Sequence, residues 1–158
     1  MANTQSMCTS FMGELLTATH NFGASPIRAA ATADTFKAAL YLVSATVNAS
    51  TTVYSTTGEV TGTNYTAGGV TVTNATAPTA TNSSVTAGVA YWTPSANFAY
   101  TTVTLATAFD TVLLYNSTQS NKAVSVHTFG SQTITAGTFT LTMPSNSTTT
   151  ALLRLATT

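Results

Sequence analysis

Charge is what this sequence has least of. Eight of its 158 residues are ionic: Glu14, Arg28, Asp34, Lys37, Glu59, Asp110, Lys122 and Arg154. Soluble domains ordinarily devote about a quarter of their residues to these four types; here the share is 5%. The formal net charge is zero, so nothing basic enough exists to neutralise a phosphate backbone, and nucleic acid is not an expected partner. A single cysteine, Cys8, excludes an intramolecular disulfide. It has no basic neighbour in sequence and reads as a small buried hydrophobe. Histidine is limited to His20 and His127, too far apart in sequence to suggest a metal site. No apolar run approaches the roughly 18 residues of a membrane-spanning helix. The opening Met1-Ala2-Asn3-Thr4-Gln5-Ser6 has neither the positive nor the apolar region of a secretory signal, so synthesis and assembly in a cytoplasm are expected.

Threonine fills the place of charge, with 38 copies. It is β-branched, suits pleated surfaces, and is wetted without ionising. The hydrophobic share of 44%, with seven Phe, six Tyr and one Trp, is too high for a disordered chain. At this length one domain over residues 1–158 is expected. Folding should bury about two thirds of the unfolded surface, enough for a core without disulfide or metal. A monomer this neutral lacks the repulsion that keeps soluble proteins apart, which points to packing against other copies or a larger assembly.

Met7, Cys8, Phe11, Met12, Leu15 and Leu16 recur at helical spacing and predict an N-terminal helix over residues 4–17, capped by Asn3 or Thr4, within a helical segment 1–23. Residues 34–43 read as a strand, with a short helix as the competing reading. Residues 44–69 read as a long ordered loop anchored by Tyr54, Val60 and Tyr65; such loops usually serve an interface or a binding role. Beyond Val70 the period is two. Short strands are expected at 70–74, 89–93, 100–105, 110–115 and 123–129, followed by a hairpin turning at Ala136-Gly137 and a last strand at 151–156. The total is about eight strands: a mainly β fold, an antiparallel sandwich or jelly roll with one N-terminal α-helix. Few lysines or prolines guard the strand edges.

The chain carries little catalytic chemistry. Asp34 and Asp110 open strands, where turn formation or capping is their ordinary role. Glu14 sits on the expected helix and Glu59 in the loop. No Gly-x-Ser-x-Gly elbow occurs, and Gly58, Gly62, Gly68 and Gly69 lack the lysine and the strand–loop–helix context of a phosphate cradle. His20 reads as a helix-end residue, and His127 as solvent-facing or in a subunit contact. Tyr91, Trp92, Phe98 and Tyr100 form the densest aromatic cluster, a core feature first and a sugar-stacking platform second. No catalytic residue, metal or cofactor is expected.

Several segments in order resemble a family of small structural proteins of tailed bacteriophages. They are Ser10-Phe11-Met12-Gly13-Glu14-Leu15-Leu16 through His20-Asn21-Phe22; Asp34-Thr35-Phe36-Lys37-Ala38-Ala39-Leu40-Tyr41; Tyr54 to Val60; Leu114-Tyr115-Asn116-Ser117 with Asn121-Lys122-Ala123-Val124; and Gly137-Thr138-Phe139-Thr140-Leu141. At His127-Thr128 the chain departs from the more acidic dipeptide expected of such relatives. The resemblance implies a β-rich virion component, most simply a capsid decoration or cement protein. Its expected partner is the major capsid protein at capsomer joints, and its expected state a homotrimer on an icosahedral axis, with a dimer as the alternative. Phe11, Leu15, Tyr54 and Tyr65 are the expected contact residues. The alternatives are a tail or fibre component that stacks a host-surface glycan on Trp92 or Tyr100, and a small jelly-roll hydrolase or lyase that pairs a histidine with a carboxylate.

Overall fold

A computed structural model describes residues 3–8, 10, 11, 15, 19, 20, 22, 33–73, 78–81 and 88–156. Among them the chain is mainly β, arranged in two antiparallel sheets. The strands are β1 (Ser6–Met7), β2 (Phe36–Leu42), β3 (Val70–Thr71), β4 (Thr79–Ala80), β5 (Val89–Trp92), β6 (Phe98–Asn116), β7 (Lys122–Leu141) and β8 (Leu153–Ala156). One sheet has the order β1-β7-β6-β2-β3 and the other β4-β5-β8.

Two expectations are corrected. The helix over residues 4–17 does not begin where its pattern begins, because Ser6 and Met7 pair as β1 with Val126 and Ser125. Asn3 caps nothing there. Its side chain donates to Leu42 O (3.2 Å) and Asp110 Oδ1 (2.8 Å) and accepts from Val47 N (2.9 Å), a staple between three segments. Most of the remaining expected helix, residues 9, 12–14, 16 and 17, lies outside the described residues.

The second correction concerns the hairpin at Ala136-Gly137. The chain runs straight through it. The strands expected at 100–105 and 110–115 are one strand of 19 residues, and those at 123–129 and 133–143 merge into one of 20. The apolar residues on either side of Ala136-Gly137 pair with β6 rather than with each other: Ile134 lies opposite Leu105, and Phe139 opposite Tyr100. The turn propensity survives as a bulge. Ala136 keeps a positive φ of 45°, and its N–H donates to Thr104 Oγ1 (3.0 Å). The true reversal is at residues 117–121, where Ser120 (φ 53°) and Asn121 (φ 58°) occupy the left-handed region and the Asn116 side-chain oxygen accepts from Thr118 N and Gln119 N.

Five register shifts interrupt the β6–β7 ladder, and bulges bend and coil a strand pair. The C-terminal half of β6 lies along β2, from Asn116 opposite Phe36 to Phe109 opposite Leu42. Its N-terminal half curls back, so that the Tyr100 hydroxyl donates to Ala38 O (2.7 Å) in β2. The loop after β2 closes the gap between them. Leu42 N donates to Gly58 O and Val60 N to Leu40 O, which extends the ladder along the free edge of β2. Thr104 N in turn donates to Thr63 O (3.1 Å).

The core lines both faces of β2, the C-terminal half of β6 and the first turn-proximal residues of β7. Ala38, Leu40, Val112, Leu113, Leu114, Val124 and Val126 are fully buried. An aromatic group packs at one side, with Phe22 and Phe36 stacked at 4.4 Å and Trp92 edge-on to Phe22 at 4.7 Å. Each such ring contributes about 1.5–3 kcal/mol by leaving water. Gly69 fixes how closely the loop approaches β2: its φ is +73°, and an added Cβ would lie 1.7 Å from Ala38 O. Gly69→Ala therefore combines left-handed strain with a backbone clash, and should lower unfolding free energy by more than about 3 kcal/mol in urea titrations.

Candidate functional site

Within the loop of residues 43–69, one carboxylate organises everything around it. Glu59 is 6% exposed. Its Oε1 accepts from the Tyr65 hydroxyl (2.8 Å) and Gly68 N (2.7 Å), and its Oε2 accepts from the Tyr54 hydroxyl (2.5 Å). Tyr65 oxygen also accepts from Leu40 N (3.0 Å), which ties the cage to the edge of β2. Tyr54 stacks on Tyr115 at 4.6 Å and 12°, and the Tyr115 hydroxyl donates to Gly68 O (2.9 Å). Burial, reinforced by the nearby carboxylate, holds the Tyr54, Tyr65 and Tyr100 hydroxyls far above the usual phenol range and pushes Tyr115 up to about 12. These hydroxyls therefore stay protonated and remain donors. A carboxylate out of water needs such donors, and one saturated by three of them is structural rather than a free base.

A second buried polar cluster joins the start of β2 to the β6–β7 turn. Asn116 Nδ2 donates to Asp34 Oδ2 (2.7 Å) and contacts His20 Nδ1 (3.1 Å). Gln119 Nε2 donates to Asp34 Oδ1 (3.1 Å). The histidine and the carboxylate are thus bridged by an amide, which cannot relay a proton as a general acid–base pair would. His20 is 8% exposed and lies edge-on to Phe11 at 4.9 Å.

A third pair lies on β7, where Ser125 Oγ and His127 Nε2 are 2.8 Å apart. Hydroxyl and imidazole are the ingredients of nucleophilic catalysis. Ser125 is nevertheless 2% exposed, between Leu114 of β6 and Met7 of β1, so no substrate can reach it. His127 is partly buried rather than solvent-facing, and burial lowers its pKa to about 4. Among the described residues no group of three His, Cys, Asp or Glu side chains could hold a metal ion.

The four expected contact residues fall into two places. Phe11 is 2% exposed and belongs to the core, with Leu15 packed at its margin. Tyr54 and Tyr65 are half-buried members of the Glu59 cage. Trp92 (2% exposed) and Tyr100 (3%) are core residues, so neither forms an open sugar platform. A cleft of about 140 Å³ lies between Asn64–Thr66 and Ala99–Thr101, but its aromatic walls, Tyr65 and Tyr100, already have their hydroxyls engaged.

What the sequence reading missed is the role of Glu59 and Asn116. A signal existed for Glu59, as the only ionic residue between Lys37 and Asp110, flanked by Tyr54, Tyr65 and Gly68-Gly69. None existed for Asn116, two of whose side-chain partners, His20 and Asp34, come from distant segments. Compared with protein-family models, with curated proteins and with solved structures, the chain matches none.

Glu59→Gln replaces one acceptor oxygen with a donor facing N–H or O–H groups, and should cost about 1–3 kcal/mol of unfolding free energy in urea titrations at neutral pH. His127 favours its neutral form when folded. Its contribution to stability is therefore complete above the unfolded pKa of about 6.5 and is lost as pH falls towards about 4. Unfolding free energy of the native chain should drop over that window by more than that of His127→Gln.

Proposed function

We propose that this protein is a structural component of a tailed-phage virion, a capsid decoration or cement protein that seats on the shell and binds the major capsid protein where capsomers meet, after assembly in the host cytoplasm. The observation that carries this reading is the neutral surface on a strongly cross-tied β frame. Between residues 98 and 109, and again between 128 and 141, there is no ionic side chain, while nine threonines lie along these two stretches. Surfaces of this kind lack long-range steering and repulsion, and are suited to short-range packing against a fixed neighbour.

The loop of residues 43–69 adds to the reading. Its backbone is held by Glu59 while its outer side carries Val43 (41% exposed) and Val53 (48% exposed). Rigid presentation of apolar and neutral polar groups lowers the ordering cost of binding. In this reading the two sheets are a decoration-type sandwich, and the segment after Cys8 is the helical element expected from the sequence, with Leu15 at the margin of the core. The contact surface shifts from the aromatic side chains of the loop, which are engaged internally, to its exposed valines and threonines. Shell stabilisation then comes from surface buried across joints, which resists outward pressure without any chemical step.

Added to expanded, undecorated shells, the protein should co-sediment with them and raise their melting temperature. Val53→Glu should weaken that binding at least about tenfold while leaving the fold intact. Co-sedimentation with tails but not with shells would replace this reading with that of a tail component.

A further inference from the structure

Beyond Val126 the outer edge of β7 has no strand beside it among the described residues, since β1 pairs only with Ser125 and Val126. Strand β6 occupies the inner edge along the whole length of β7. Residues 130–133, 135, 136, 138 and 140 are exposed. An open edge presents a row of unpaired N–H and C=O groups, which proteins usually guard with lysine, proline or bulges. Residues 128–141 contain no charged residue and no proline. Bulges do guard part of this edge: the register shifts between Thr128 and Gln132 and between Ile134 and Gly137 add residues to β7. After the last of them β7 gains no further residue: the one remaining shift, between Gly137 and Phe139, adds its residue to β6, and Phe139, Thr140 and Leu141 then lie in unbroken register opposite Tyr100, Ala99 and Phe98. Residues 137–141 are therefore a stretch of edge that no bulge in β7 guards.

We propose that this stretch pairs antiparallel with the same stretch of a second copy, across a twofold axis at Phe139. Its own sequence selects that occupant. Thr138-Phe139-Thr140 reads the same in both directions, so twofold antiparallel pairing sets threonine against threonine on the exposed face and phenylalanine against phenylalanine on the other. Cross-strand Thr–Thr and aromatic pairs are favourable, whereas like charges directly opposite are not. A twofold axis places any charge in such a window near its own copy, and this window has none. Phe139 is already held in position, with its ring edge-on to Phe109 at 5.1 Å and 5.0 Å from Phe129. The contact extends the five-stranded sheet from one copy into the next. It does not depend on shell binding, and its failure would leave that reading untouched.

The test is the solution mass of the full chain at micromolar concentration, by analytical ultracentrifugation. The native protein should sediment as a dimer. Thr138→Lys/Thr140→Lys and Thr138→Glu/Thr140→Glu should each weaken self-association at least about tenfold, with unchanged circular dichroism. An equimolar mixture of the two should regain dimer, which a merely unfolded variant could not do. Leu155→Glu, on the exposed side of β8, should leave the dimer intact. A monomeric native protein, a lysine variant that still dimerises with native affinity, or a mixture that stays monomeric would each overturn the proposal. Hydrogen exchange on the native chain gives a second reading free of mutation: those amides of residues 137–141 that point away from β6 should lose protection on dilution, and exchange independent of concentration would also overturn it.

Discussion

The buried carboxylate of Glu59 is the constraint on which the rest of this structure turns. An ionised side chain removed from water costs several kcal/mol unless its oxygens are satisfied. Here Tyr54, Tyr65 and Gly68 N–H supply the donors. Because those donors belong to one loop, satisfying Glu59 folds that loop on itself. Because Tyr65 oxygen also accepts from Leu40 N, the folded loop is fastened to β2. An irregular segment thereby does the work of a strand, covering the edge of β2 and meeting Thr104 of β6 on its far side.

The long β6–β7 hairpin depends on the same arrangement. A flat ladder of about 20 residues would extend some 60 Å and leave most of one face open. Its bulges, with Thr102 and Ala136 at positive φ, instead turn the N-terminal half of β6 over β2, where Tyr100, Val103 and Leu105 become core. The surface that remains outside is threonine and neutral. Such a surface keeps its hydration without charge, and meets a neighbouring surface without like-charge repulsion. That property unites the proposed seat on a shell with the proposed pairing of two copies, although different parts of the surface serve each.

Local pattern was a good guide to where the shorter strands lie, although their partners are distant in sequence. Residues 34–43 were legible as a strand because Phe36, Ala38 and Leu40 alternate, and β2 occupies Phe36–Leu42. Strands were also expected at 89–93 and 151–156, where β5 and β8 lie. The Ala136-Gly137 turn was misread because a positive-φ residue serves a bulge as readily as a hairpin, and only the opposite strand decides between them. The helical spacing of Met7, Phe11 and Leu15 was misleading at its start, because pairing of Ser6 and Met7 with β7 outweighs local propensity there. Of the candidate contact residues, Tyr54 and Tyr65 were rightly singled out as anchors of their loop, but what they anchor to was not visible.

The amino-acid sequence alone determined the class of surface and the class of fold. Neutrality and threonine content follow from composition, and β structure follows from alternation and β-branching, both of which are local. The tertiary structure decided which polar groups are interior, because burial of His20, Asp34 and Asn116 requires partners from remote segments. It also decided that five expected strands, counting both arms of the expected hairpin, are two, and that among the described residues no strand lies along the outer edge of β7 beyond Val126, since an edge is defined by what fails to pair with it and no local run of residues carries that information.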